Sequence, residues 1–470
     1  MKAPIRFHIV TLGCSKNQVD SEGMAQRLIA QGLEPTDDPR KARVVIVNTC
    51  GFLGAARAES RATIERLLAR RRPGQVIIAA GCMVSLDEHR RELPDGVDAL
   101  LSTREWTRID SLVATLLDLP VPSVRPPEET LPTFRRLPTA RPSAYVKIAD
   151  GCDHRCSFCA IPLIKGQQVS KRPSDVVREI RELVDVGTKE VVLVAQDTIR
   201  YGADLGLRDG LPCLLRLIAE QVPELPWLRL LYLYPTPLLF RLIDTMAELP
   251  QCVPYLDIPL QHADPAILRA MARPSNPDFY RRLIAYARQR IPGVALRTTF
   301  IVGFPGETDE QFQRLYDFVE EMQFDHVGVF VYSREEPTAS ARVGQPVPRE
   351  IAEERRAALM ELQQRISLAK NKALVGQELE ILIEGHGELE DELGRRLPLS
   401  AGRAARHAPE VDGLVFVPGQ LPIGELVRVR VTHAEPYDLW AEYPSARLKP
   451  SRRTLSQTRQ RGHTGLNTNH

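Results

Sequence analysis

Apolar and polar positions switch between two periods along this chain. Near its start, three short apolar runs, Phe7 to Leu12, Val44 to Val47 and Val76 to Ala80, are each followed by helical spacing, roughly Ser21 to Gln31, Ala55 to Arg71 and Leu86 to Leu93. Strand-then-helix alternation predicts a small parallel sheet with helices packed on it. From Pro120 to Pro142 seven prolines interrupt the pattern. They stiffen the chain against helix and sheet, which marks a domain boundary.

Six strand candidates then follow: Tyr145 to Ala149, Val191 to Ala195, Leu228 to Leu233, Tyr255 to Ile258, Ala295 to Val302 and His326 to Val331. Helical stretches separate them at Pro173 to Val186, Leu211 to Gln221, Pro237 to Glu248, Phe279 to Arg290 and Asp309 to Met322. Six β/α units in about 190 residues are two short of a closed barrel, so an open partial barrel with a lateral gap is expected. Arg349 to Lys372 is a charged helical run, expected to pack on the barrel's side. Beyond it, Leu379 to Glu384, Leu414 to Val417 and Leu426 to Val431 alternate among glycines and prolines, as in a small antiparallel β-barrel. The chain therefore divides into an α/β domain (1–119), a linker (120–142), a partial barrel (143–348), a helical connector (349–372), a small β-barrel (373–442) and a tail (443–470).

Composition changes this picture locally. With 62 basic and 60 acidic residues among 470, the whole chain is no generic polyanion binder. Residues 373–442, however, carry thirteen Asp or Glu against six Arg, a net of −7, while the tail after Tyr443 has six Lys or Arg and no acid. An acidic module repels a phosphate backbone and attracts a basic protein; acidic residues that only keep the surface soluble, beside a basic strip facing RNA, are the competing reading. The tail is expected to be disordered, a ribosome-contacting arm or a solvated end. The opening MKAPIRFHIV lacks the apolar core of a secretion signal, and no run approaches the roughly 18 apolar residues of a membrane span. A cytoplasmic location is expected, where eight cysteines serve better as ligands or buried thiols than as disulfides.

Candidate chemistry centres on Cys152, Cys156 and Cys159, spaced C-x3-C-x2-C just after the first barrel strand. Thiolates suit zinc and iron-sulfur clusters, but structural zinc wants a closed shell of four ligands, and none of the ten histidines follows at finger-like spacing. Three thiols point to a [4Fe-4S] cluster with one iron left open. Scattered core cysteines, or zinc completed by a distant ligand, are the alternatives. A second triplet is hidden in topology: Cys14, Cys50 and Cys82 follow the three N-terminal strands, beside Gly13, Gly51 and Gly81. Strand carboxyl ends in a parallel sheet share one edge, so these thiols are expected to converge. Buried cysteines at strand ends are the plainer reading. Asn48 and Thr49 are either orienting groups or turn residues, and Cys213 and Cys252 are expected in the core.

The open six-unit layout and CDHRCSFC resemble the radical S-adenosylmethionine (SAM) enzymes. That resemblance implies that the three barrel cysteines hold a cluster whose open iron is chelated by SAM, and that an electron from it cleaves the sulfonium to a 5′-deoxyadenosyl radical. It further implies SAM contacts at Phe158, beside the last cysteine, at Gln196 with Asp197, and at Arg297, Ile301 and Gly303 in RTTFIVGFPGET. A turn is the competing reading for Gln196 and Asp197, and Thr308 with Asp309 could begin a helix.

With GRAARHAPEVDGLVFV and AEPYDLWAE, the end of the chain resembles a TRAM domain, and the whole to about residue 442 resembles methylthiotransferases. VNTCGF, KIADGCDHRCSFCAIP, LVAQDTIRYG, LYLYP and DIPLQH are similar to the branch that modifies an aspartate in protein twelve of the small ribosomal subunit. Lys165-Gly166, where relatives usually have Arg-Gly, and Ala160, where a larger apolar residue is common, depart from that pattern. The resemblance implies two [4Fe-4S] clusters, SAM, a basic ribosomal-protein substrate with the small subunit as a further partner, an electron donor such as flavodoxin or ferredoxin, and a monomer. A tRNA adenosine methylthiotransferase and a non-catalytic electron-transfer protein are the competing functions; the second has no use for RTTFIVGFPGET or an open-sided barrel.

Overall fold

The computed structural model describes residues 4–121, 131, 133–134, 141–273, 276–390 and 394–444. The expectations for most of the Pro-rich linker and for the basic tail from residue 445 lie outside the described residues.

Strands Arg6–Thr11, Val44–Thr49 and Val76–Gly81 form the centre of the N-terminal sheet, with Glu34–Pro35 and Ala99–Ser102 at its edges. All five run parallel, two more strands than the apolar runs predicted. The central strand Val44–Thr49 is buried throughout, as a sheet covered on both faces requires. Helices Ser15–Ala30 and Gly54–Ala69 follow the first and second of the three central strands.

The six barrel strands keep chain order. Ser143–Lys147, Glu190–Val194 and Trp227–Leu230 make one parallel half, and Tyr255–Asp257, Ala295–Val302 and His326–Val331 the other. The parallel bridge Leu228 with Cys252, and the Leu233 amide donating to the Asp257 carbonyl at 2.9 Å, join the halves. The first and last strands do not pair with each other among the described residues, so the barrel is open as expected. Helix Asp309–Met322 starts at Thr308, whose hydroxyl accepts from the Gln311 amide at 3.3 Å while the Gln311 side chain accepts from the Thr308 amide at 2.9 Å. The connector helix Arg349–Lys372 lies along the barrel, its Gln363 and Ser367 side chains donating to the Phe324 and Asp325 carbonyls. Cys252 is buried, but Cys213 is exposed and is not a core thiol. It falls on the outer face of helix Gly210–Gln221, whose Leu211, Leu214, Leu215 and Ile218 turn inward at helical spacing.

Strands Glu378–Glu390, Arg396–Ala404, Val415–Pro418, Leu439–Glu442 and Leu426–Ala434 close into a barrel, antiparallel except for one parallel pair. The segment from Arg403 to Asp412 reaches the floor of the central barrel. There Glu190 is fully buried between Arg229, whose Nε donates at 2.7 Å, and Arg403, which also pairs with Glu384 at 2.6 Å. Asp412 accepts from the Tyr255 hydroxyl at 2.6 Å, and Arg406 pairs with Asp325 at 3.1 Å.

Burial alone would raise the Glu190 carboxyl, but the charges of Arg229 and Arg403 outweigh it and bring it down to about 2. A depressed carboxyl contributes its stability above its ordinary value of 4.5 and loses it as pH falls toward 2. Glu190→Gln leaves two buried guanidinium groups without this counter-charge and is expected to cost about 3–5 kcal/mol. Urea unfolding near neutral pH checks this loss, and the variant's stability should depend less on pH across the acid window than that of the parent.

Candidate functional site

Cys14 caps helix Ser15–Ala30, and its loop meets those of Cys50 and Cys82 at the carboxyl edge of three adjacent strands. Gly13, at φ +90°, lies so near Cys50 that a Cβ there would stand 3.0 Å from the Cys50 sulfur. A Cβ on Gly51 would stand 2.7 Å from the Met83 amide nitrogen, so only glycine lets the second and third loops touch. Asn17 ties the three together: its Nδ2 donates to the Leu12 and Thr49 carbonyls at 2.9 and 3.1 Å, and its Oδ1 lies 3.7 Å from Cys82 Sγ. Asn48 and Thr49 prove to be buried ties rather than plain turn residues, donating to the Asn17 and Ala80 carbonyls at 2.8 and 2.6 Å. Cys14 is exposed to solvent on one side; the protein packed around it opposes ionisation, yet the charges of Lys16 and Lys165 and the backbone amides of Asn17 and Lys16 hold its thiol below the ordinary value. Burial pushes Cys82 up to about 12.

The barrel triplet sits on a loop fastened at several points. The Cys152 amide donates to the Gly166 carbonyl at 3.0 Å and the Cys159 amide to the Cys156 carbonyl at 3.1 Å. Ser157 donates through its amide to Met271 and through its hydroxyl to Ala270, at 3.0 and 2.8 Å. Gly151 has φ +81°, and a Cβ there would meet the Gln167 carbonyl oxygen at 2.1 Å. Burial raises Cys152 to about 11 and Cys159 to about 12, so metal binding at this loop would release protons.

Around the loop, Arg273 is a group that sequence reading did not single out, and it joins His154, Asp197 and Tyr234. His154 Nε2 lies 2.7 Å from Asp197 Oδ2, and its ring stacks on Tyr234 at 3.7 Å. Arg273 lies 4.0 Å from the Tyr234 ring centroid and reaches Cys156 Sγ at 3.8 Å.

Of the expected SAM contacts, Phe158 and Ile301 pack against one apolar cluster of Ile267, Met271, Phe304 and Tyr332. Gly303, at φ +74°, follows on the same strand end, and its amide donates to Glu307 at 3.0 Å. Gln196 donates to Asp150 at 2.7 Å, leaving its Oε1 and Asp197 Oδ1 buried without a partner. Arg297 stands apart. It lies four residues, about 13 Å, before Ile301 along the strand and is held by Asp257 at 3.1 Å and Asp412 at 3.5 Å.

Between the two triplets lies a buried cluster of charge. Lys147 pairs with Asp20 and, at 2.9 Å, with Asp150; Lys165 pairs with Asp150 at 3.0 Å and donates to Thr103 at 3.1 Å. These partners are missed by sequence reading because polar residues such as Lys16, Asn17 and Asp20 look like surface until another domain covers them.

Residues 146–319 match the radical SAM superfamily, 6–102 the family described as uncharacterized protein family UPF0004, and 375–443 the TRAM domain. The "Ribosomal protein uS12 methylthiotransferase RimO" of Roseiflexus sp. (strain RS-1) is 47% identical, covering 94% of this chain and 98% of its own. Its counterpart from Chloroflexus aurantiacus is 46% identical, with 93% and 99% covered. Among solved structures, the radical SAM methyltransferase TsrM from Kitasatospora setae aligns with a TM-score of 0.53 over 84% of this chain and 85% of its own; at 14% identity it shows the fold alone. Identity near one half over almost the whole length, together with the three matched domains, places this chain in the ribosomal protein uS12 methylthiotransferase RimO family of the radical SAM superfamily.

Proposed function

We propose that the protein methylthiolates the β-carbon of an aspartate in ribosomal protein uS12, the protein twelve of the small subunit, using SAM and two [4Fe-4S] clusters. The observation that carries this reading is two all-thiol triplets, one on the barrel's strand edge and one on the N-terminal sheet's, in a chain nearly half identical to relatives bearing that name. The donor sets fit the groups: each triplet offers three free thiols, the donors that iron-sulfur clusters take. Cys152, Cys156 and Cys159 would hold one cluster, and Cys14, Cys50 and Cys82 the other. Bound there, such clusters supply a low-potential electron for reductive cleavage of SAM and a site for the transferred sulfur.

The chain's own residues bind and orient. Phe158 and Ile301 offer an apolar wall suited to an adenine, and the Gly303 backbone turns where a side chain would collide with Ala352. The unpartnered oxygens of Gln196 and Asp197 suit the amino and hydroxyl donors of SAM. Arg297, engaged by two carboxylates, contributes from the barrel floor.

The acidic C-terminal barrel supports a basic protein over RNA as substrate. Two of its six arginines, Arg403 and Arg406, turn toward the central barrel, and Arg396 and Arg430 pair with Glu388 and Glu378. Few cations are left to neutralise phosphates. No helix among the described residues is long and apolar enough to cross a membrane. A cytoplasmic monomer reduced by a flavodoxin or ferredoxin completes the proposal.

Mass spectrometry after incubating the reconstituted enzyme with a uS12 peptide and a tRNA anticodon arm, each with SAM and reductant, tests it. The peptide alone should gain the methylthio group. Modification of the tRNA alone would overturn the reading.

A further inference from the structure

The N-terminal domain touches the barrel at both of its edge strands, through charges that are buried or nearly so. At the first strand, Lys147 joins Asp20 of the Cys14 helix to Asp150, two residues before Cys152. Beyond the last strand, Glu335 is 3% exposed and accepts from the Gly54 amide at 2.8 Å, Arg57 Nη1 at 2.7 Å and the Ser333 hydroxyl at 2.6 Å. Gly54 opens the helix that follows the Cys50 loop, and Arg57 also holds Glu92 at 2.9 Å. Between these points Lys16 lies over the Tyr232 ring at 3.3 Å, next to the third barrel strand.

Buried ion pairs are poor sources of stability, since packed apolar side chains of similar volume often do better. What they supply is placement, because a misdocked domain leaves buried charges unpaired at a cost of several kcal/mol. One fastening would leave a pivot; two, on opposite edge strands, fix the domain across the open barrel. Each stands within a few residues of a cysteine loop.

We infer that Glu335 and Arg57 form a latch that, with the Asp20–Lys147–Asp150 cluster on the opposite edge, holds the two three-thiol sites in register, making Glu335 a positioning residue for sulfur transfer. This rests on the proposed reaction for its catalytic consequence, though not for the docking itself. Glu335 touches neither triplet, so its loss spares SAM cleavage at the barrel loop and misplaces the sulfur.

The test compares Glu335→Ala, Glu335→Gln and Arg57→Met with the parent protein. Hydrogen exchange on the full chain, as purified and without added cofactors, should show the amides of residues 52–57 exchanging at least about tenfold faster in Glu335→Ala. Glu335→Gln, which keeps an acceptor for Gly54, should fall between. In the reconstituted enzymes, 5′-deoxyadenosine formation should stay within about twofold of the parent while methylthio product per 5′-deoxyadenosine drops at least about fivefold, a difference of roughly 1 kcal/mol. Unchanged exchange, or product and 5′-deoxyadenosine falling together, would overturn the inference. If the parent itself methylthiolates no peptide, the proposed reaction fails, and the exchange comparison alone decides the latch. Should Glu335→Ala not fold, Glu335→Gln and Arg57→Met carry both readouts.

Discussion

Replacing Cys152, Cys156 and Cys159 together by alanine is expected to reduce 5′-deoxyadenosine formation to the reagent background. The three thiols are the soft donors of the barrel loop, and its other ligand-type side chains, His154 and Asp153, are engaged elsewhere. His154 is stacked on Tyr234 and bonded to Asp197, and Asp153 accepts from the Gln168 amide at 3.0 Å. Alanine keeps each Cβ, and the bonds that shape the loop run through the Cys152 and Cys159 amides and through Ser157, all of which survive the change. The variant should therefore fold, with near-parental circular dichroism and thermal unfolding, and lose the absorbance of one cluster after reconstitution. Robust 5′-deoxyadenosine formation by the folded triple variant would sink the assignment of this loop.

These cysteines were legible because their spacing is local. So were strand Ala295–Val302, helix Asp309–Met322 and connector Arg349–Lys372, whose limits match the periodic pattern to the residue. Thr308 and Gln311 announce a helix start by chemistry that spans three positions. Elements whose reason lies elsewhere in the chain were not legible. Helix Ser15–Ala30 begins six residues before the expected Ser21, because its polar start is covered: Lys16 and Asp20 meet the barrel's Tyr232 and Lys147, and Asn17 is buried among the cysteine loops. Strand Arg396–Ala404 carries Pro398, Gly402 and Arg403 and shows no alternation, yet Gly402 is required where a Cβ would meet the Leu382 carbonyl at 2.4 Å, and Arg403 answers to Glu190, 213 residues away. Glu335 meets Arg57 across 278 positions, a pairing that no local pattern encodes.

Replacing Cys14, Cys50 and Cys82 by alanine is expected to have the opposite signature: 5′-deoxyadenosine formation persists, within a few-fold of the parent, while methylthio product disappears. Its reasoning is spatial. The triplet belongs to the N-terminal sheet and shares no backbone or side-chain hydrogen bond with Cys152, Cys156 or Cys159 among the described residues. Its loops are held by Asn17, Asn48, Thr49 and Ser60, none of which is altered, so the barrel site should keep its shape. The glycines at 13, 51 and 81 admit close approach of the three loops, and that approach is idle unless the thiols bind something in common. Lys165 connects the sites electrostatically: it pairs with Asp150 beside the barrel loop, and its charge acts on both Cys14 and Cys82. Removing the thiols leaves Lys165 its bonds to Asp150 and Thr103, so the domain contact survives. Product analysis by mass spectrometry, normalised to 5′-deoxyadenosine in the same reaction, reads the split directly. Methylthio product from the triple variant would show that sulfur enters somewhere other than this site, and loss of both products would show that the N-terminal triplet serves radical formation instead.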